Sequence, residues 1–179
     1  ATLRKRHAKD ALKEHAEKNL VWYRLYTAVG FTPFMLPVLV LFWQENGLNL
    51  LDIFLLQAIF GIVMVALEVP TGIIADRMGK RASILAGVTL TAISLVIYSL
   101  GYNFSVFLIA EVVMALAACL VSGADAALLY DSLKALGREE EYQTLEGKAR
   151  STQMIVFGLS NLAGGVIGSY SLRATMWAT

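Results

Sequence analysis

A chain of 179 residues that is 57% hydrophobic and only 16% charged, with a mean hydropathy of +0.61, cannot scatter enough charge to solvate the outer face of every element. Its charges fall in blocks between long uncharged runs, the pattern of a membrane protein and not of a soluble domain. The formal net charge of +1 carries no information about partners, and a single cysteine, Cys119, excludes a disulfide framework within the chain.

Residues 1–21, "ATLRKRHAKDALKEHAEKNLV", pair Lys13 with Glu17 and Glu14 with Lys18 at helical spacing and carry few large apolar side chains. They read as a solvated, cytoplasmic basic helix or tail, whose start either touches anionic lipid or only helps to set topology. His7 and His15 lie two helical turns apart, too far for chelation within a turn. Apolar spans then follow at about 22–43, 52–75, 82–101, 104–130 and 152–170, and a sixth begins near Leu172. Each of the five reaches the roughly 20 residues that cross a bilayer as a helix. The expected fold is an all-α, multi-pass transmembrane helical bundle, with short connections at "QENGLNLLD" and "GYNFS" that make neighbouring helices antiparallel. No span resembles a cleavable signal peptide.

Within the first span, Trp22, Tyr23 and Tyr26 suit an interfacial anchor and Arg24 a snorkelling cation, with substrate contact by Arg24 as the alternative. Pro33 and Pro37, one turn apart, each remove a backbone donor and predict a bend near mid-depth. In the fifth span Ser160, Gly164 and Gly168 repeat every four residues, with Asn161 and Gly165 beside them. Helix packing explains that small-residue face, leaving Asn161 as a secondary substrate-contact candidate.

Orientation follows from Lys and Arg. Seven fall between Arg4 and Arg24, none between the first two spans, then Arg77, Lys80 and Arg81, none again, then Lys134, Arg138, Lys148 and Arg150. Cationic segments on alternate connections place the N-terminus on the cytoplasmic side of the membrane, with Arg173 as the exception. Ionisable groups inside the spans are costly and suggest function, so Glu68, Glu111 and Asp125 are candidates for carrying a proton. A structural network is the alternative for Glu68 and Asp125. Neither histidine has a nucleophile or metal partner at suggestive spacing, and the basic segments read as topogenic. No enzyme site, metal, cofactor or nucleic-acid partner is expected.

Between the second and third spans, Gly72, Asp76, Arg77, Gly79, Lys80 and Arg81 match the pattern G-x-x-x-D-R-x-G-[RK]-R. This resembles the signature loop of the major facilitator superfamily. The resemblance runs from Trp22 to Thr179 and implies the N-terminal bundle of such a transporter, incomplete near its sixth helix. In the family the loop latches two six-helix halves together, so the implied partner is a C-terminal bundle. "LEVPTG" and "SGADAALLYDSLKALGREEEYQTLEGKARS" are similar to a prokaryotic efflux-like subset and add Asp131 as a possible mate for Arg77 or Arg81.

Two departures qualify the likeness to drug/proton antiporters. Where those carry an arginine in the fourth span, this sequence has Glu111. In their fifth-span motif, Ser160-Asn161 replaces Gly-Pro while Gly164 and Gly165 remain. The resemblance implies alternating-access, proton-coupled efflux of small amphipathic compounds. A solute uptake symporter and a non-transporting scaffold of the same fold are the alternatives.

Overall fold

A computed structural model describes residues 2–29 and 32–179, with side chains described from Lys13 to Thr27 and from Thr32 onward. The helices are α1 (Thr2–Val29), α2 (Leu39–Glu45), α3 (Leu50–Met78), α4 (Lys80–Leu100), α5 (Phe104–Val121), α6 (Ala124–Leu136), α7 (Tyr142–Tyr170) and α8 (Leu172–Ala178). No strand occurs among the described residues. The fold is an all-α helical bundle in which α3, α4 and the α5–α6 stretch are each long and apolar enough to cross a membrane. The chain forms two compact units, one of residues 1–31 and 125–156, the other of residues 32–124 and 157–179.

Polar caps start the apolar helices. Asn49 and Asp52 form a reciprocal capping box at the head of α3, each accepting from the other's backbone N–H at 3.1 Å. Asn103 caps α5 through the Val106 N–H. Between these ends the helices present apolar surface outward: Leu51, Phe54, Ile62, Val65 and Val69 of α3 are exposed. Only 11% of the most apolar stretch of α3 is buried, so its outer surface is suited to hydrocarbon.

In the larger unit, α5 packs against both α3 and α4. Lipid offers no hydrophobic drive between helices, so close contact must come from small residues and hydrogen bonds. Ser83 and Ser94 of α4 donate to the Leu120 and Ala110 carbonyls of α5 at 2.6 and 2.7 Å. A Cβ on Gly87 would meet the Ala117 carbonyl oxygen at 2.8 Å. On the α3 side the Cys119 thiol donates to the Met64 carbonyl at 3.4 Å. Toward the α2 end, Phe42, Trp43, Tyr98 and Phe107 fill the core, with the Phe42 and Phe107 rings edge-on at 5.6 Å. In the smaller unit Leu20 and Tyr23 of α1 pack with Leu129, Leu133 and Ala149.

Three expected spans take a different form. The region 22–43 is not one bent helix: α1 ends at Val29, Pro33 sits in a turn, Pro37 lies in the 3-10 turn Leu36–Val38, and α2 restarts at Leu39. Two prolines one turn apart remove successive helix donors and disfavour the helical form before each ring, so the helix breaks. The region 104–130 is divided at Ser122-Gly123, where Gly123 adopts φ +75°. The region 152–170 belongs to a helix that starts at Tyr142, within the charged segment. The basic start at Arg4–Lys9 is helical, but its side chains, with His7, lie outside those described.

The small face of α7 receives the broken segment. A Cβ on Gly164 would run into the Phe34 carbonyl oxygen, and one on Gly168 would meet Val38 Cγ1 at 2.7 Å. At the other end of this unit, half-buried Arg173 of α8 gathers three elements. Its guanidinium donates to the Asn46 side chain at 2.9 Å, to the Gly101 carbonyl at 3.1 Å and to the Ser99 carbonyl. It also lies over the Tyr102 ring at 4.1 Å and the Phe42 ring at 5.1 Å. The cation that departs from the charge alternation is a clasp joining the ends of α2 and α4 to α8.

These contacts set the stability of the larger unit. Gly164→Ala forces a methyl against backbone and is expected to cost about 1–3 kcal/mol. Arg173→Gln removes charge-assisted bonds and is expected to cost about 2 kcal/mol. Gly165→Ala, with nothing within 4 Å of the new Cβ, should be neutral. Thermal unfolding in detergent, followed on the three variants in parallel, checks the ranking.

Candidate functional site: a buried carboxyl and a charged helix turn

Glu111 is carried into the interior by the pattern of α5. Phe107, Ala110, Glu111 and Ala115 recur at three- and four-residue spacing, and all are buried. Glu111 itself is only 4% exposed. Gln57 of α3 donates its side-chain amide to Glu111 Oε1 at 3.2 Å, and the Tyr98 hydroxyl of α4 hydrogen-bonds to the same carboxyl. Both partners are neutral, and no cation pairs with Glu111 among the described residues. The Tyr98 ring stacks on Phe107 at 5.9 Å and lies 6.3 Å from Trp43, which fixes its hydroxyl and walls the carboxyl with apolar surface. Trp43 Nε1 is buried with no hydrogen-bond partner among the described residues. Three helices thus hold one carboxyl where its charge is expensive and a proton removes that charge.

Sequence reading singled out Glu111 but not Gln57 or Tyr98. An amide inside the apolar run of α3 was the available signal for Gln57. A tyrosine near the end of a span reads as an interfacial anchor, and nothing local distinguishes Tyr98 from one.

The loop residues occupy a single turn between two helices. Gly79 ends α3 and begins α4 with φ +92°, a left-handed conformation that favours glycine. Asp76 forms an ion pair with Lys80 across it. Each partner stands at the unfavourable pole of its own helix: a carboxylate in the last turn of α3 and an ammonium in the first turn of α4. Their mutual attraction offsets part of that cost, and the surroundings of the pair are wet enough that it contributes little to stability. Arg77 and Arg81 are exposed, as is Gly72, which has open space beside it.

The other candidates are dispersed. Glu68 is exposed on α3, followed by Pro70 and by Thr71, whose hydroxyl donates to the Leu67 carbonyl at 2.7 Å. Asp125 stands in the first turn of α6, accepts from the Ala126 N–H at 2.7 Å and faces Arg150 at 3.9 Å. A carboxylate there favours the positive end of α6. Asp131 is exposed on α6. Asn161 donates back to the Phe157 carbonyl of its own helix at 2.8 Å. Arg24 lines a cavity with residues of α7. Between α6 and α7, Arg138 grips Glu141 with two bonds of 2.6 Å and holds its carboxyl below the usual range.

Comparison with known proteins places these features in a family. The model of the Major Facilitator Superfamily matches residues 25–179. Over 109 residues the chain is 30% identical to the quinolone resistance protein NorA of Staphylococcus aureus, which covers 61% of this chain and 27% of the relative. Over 153 residues it is 23% identical to the uncharacterized MFS-type transporter MJ1560 of Methanocaldococcus jannaschii, covering 84% of this chain and 39% of that one. The chain therefore spans well under half the length of these curated relatives. With a family match across nearly all of its helical bundle and the signature turn at Gly79 in place, this chain belongs to the major facilitator superfamily.

Proposed function

We propose that the protein carrying this chain exports small amphipathic compounds by alternating access, driven by proton entry. The observation that carries this reading is the Glu111 carboxyl, buried against neutral donors from two other helices. A proton-coupled carrier needs a group whose charge changes during the cycle, and a carboxyl inside a transmembrane bundle is suited to that role. Efflux, as the direction, draws support from the likeness to a relative named for quinolone resistance.

The charged turn supports a conformational role beside it. Asp76 at the end of α3 and Lys80 and Arg81 at the start of α4 stand at helix poles that do not favour their charge, as expected of groups kept for a partner surface. In this reading they meet a second helical bundle in one state of the cycle and release it in the other. Asp131 and Arg77 supply further charge for that contact. Glu68 and Asp125 remain secondary proton carriers, and Arg24 and Asn161 secondary substrate contacts. The alternating Lys and Arg counts orient the bundle with its N-terminus in the cytoplasm of the plasma membrane.

Glu111→Gln keeps the neutral form's shape and hydrogen bonding while removing the proton. In the complete transporter, reconstituted into proteoliposomes, it is expected to lower flux driven by a pH gradient at least about tenfold, the span of 1.4 kcal/mol, and to spare substrate binding. Gradient-driven flux equal to the parent's would contradict the coupling role. Orientation is checked separately by labelling with an impermeant thiol reagent. A cysteine at Glu45 should react from outside the cell and one at Glu140 should not, while native Cys119 is buried; the reverse pattern would invert the topology.

A further inference from the structure

The smaller unit contains a cavity of about 400 Å³ between α1 and α7, lined by Arg24 and Thr27 on one side and Leu145, Lys148, Ala149 and Thr152 on the other. The spacing on α7 is i, i+3, i+4 and i+7, so the lining is one continuous face of that helix. Its size falls at the small end of ligand pockets.

The chemistry of the lining is one-sided. The Thr27 hydroxyl donates to the Tyr23 carbonyl at 2.9 Å, and the Thr152 hydroxyl to the Lys148 carbonyl at 2.9 Å, so neither proton is available to a guest. Leu145 and Ala149 are apolar. What remains to donate is the Arg24 guanidinium and the Lys148 ammonium, and no carboxylate lines the cavity. Neither cation has an ion-pair partner within 4 Å among the described residues. The neighbouring anion, Glu141, feels both cations electrostatically but is gripped by Arg138 through two bonds of 2.6 Å. Arg24 and Lys148 are both exposed, and two like charges face one cavity whose lining holds no carboxylate, which raises the local concentration of anions there.

We propose that this cavity is a binding site for a phosphate-bearing group. A planar carboxylate is satisfied by a single guanidinium fork, whereas a tetrahedral phosphate directs oxygens to both helices at once. It can take the bidentate guanidinium from α1 and the point charge of the ammonium from α7. The phosphodiester of a lipid headgroup and a soluble phosphate share this chemistry. The site is separate from Glu111 and does not depend on proton coupling.

The test is ligand-dependent thermal stabilisation of the complete protein in detergent, because a ligand that binds only the folded state raises its midpoint. Three probes are titrated: a short-chain phosphatidylglycerol, a diacylglycerol with the same chains and no phosphate, and inorganic phosphate. Phosphatidylglycerol should raise the midpoint and the diacylglycerol should not. Arg24→Gln with Lys148→Gln should weaken the apparent affinity at least about 25-fold, since each cation near a lipid surface contributes about fivefold. The charge-keeping exchange Arg24→Lys with Lys148→Arg should retain binding, as should Lys18→Gln, whose ammonium pairs with exposed Glu14 outside the cavity. Stabilisation by inorganic phosphate, lost in the double Gln variant, supports the site with a soluble phosphate as its source. The proposal is overturned by equal stabilisation with the phosphate-free lipid, by undiminished affinity in the double Gln variant, or by a midpoint that none of the probes moves.

Discussion

The larger unit depends on how closely α5 approaches α3 and α4. In lipid an apolar side chain gains nothing by leaving the hydrocarbon for a neighbouring helix, so backbone proximity has to be won by small side chains and interhelical hydrogen bonds. Gly87 lets α4 approach the Ala117 carbonyl, and Ser83 and Ser94 tie α4 to α5 at two levels. Cys119 contributes a weaker tie to α3. Once the three helices are this close, a side chain on the inner face of α5 such as Glu111 is almost fully covered, with exposed Gln57 as its nearest polar neighbour on α3. The packing of α5 therefore creates the environment of Glu111, and the carboxyl's partners, Gln57 and Tyr98, come from the two helices α5 is packed against.

Under the proposed function, that arrangement joins stability to proton coupling at a single residue. A buried carboxyl without partners would be strongly destabilising, and one with a cationic partner would be locked in its charged form. Neutral donors satisfy the carboxyl in either protonation state at modest cost. In the proposed proton-coupled cycle this is the balance wanted in a group that changes charge, and an amide and a phenol beside Glu111 fit it where an arginine would not. The Asp76–Lys80 turn follows a similar logic at the surface: its charges stand against their helix poles, which fits the proposed contact with a partner surface better than a role in the local helices.

Much of this was legible in the sequence. Apolar runs of spanning length mark the long helices, and the pattern from Gly72 to Arg81 marks the signature turn, because both depend on local composition. The helix break at Ser122-Gly123 was hidden by hydropathy, which stays high across it; the Ser-Gly pair was its only mark. The helical start of α7 was obscured by Glu146, Lys148 and Arg150, which read as a connection although charged residues are good helix formers. Arg173 looked like an exception in a charge count because its partners lie 127, 74 and 72 residues away. The cavity at Arg24 and Lys148 brings together two helices far apart in sequence, and spacing within either one gives no hint of the other.

The central claim is that Glu111 holds a proton that the transport cycle can move. Infrared difference spectroscopy on the complete protein in lipid tests it directly, by comparing the carboxylic acid band with and without a transported compound and in light and heavy water. The account predicts a protonated carboxyl band that shifts on addition of the compound and is missing in Glu111→Gln. An identical difference spectrum in the Gln variant would contradict it.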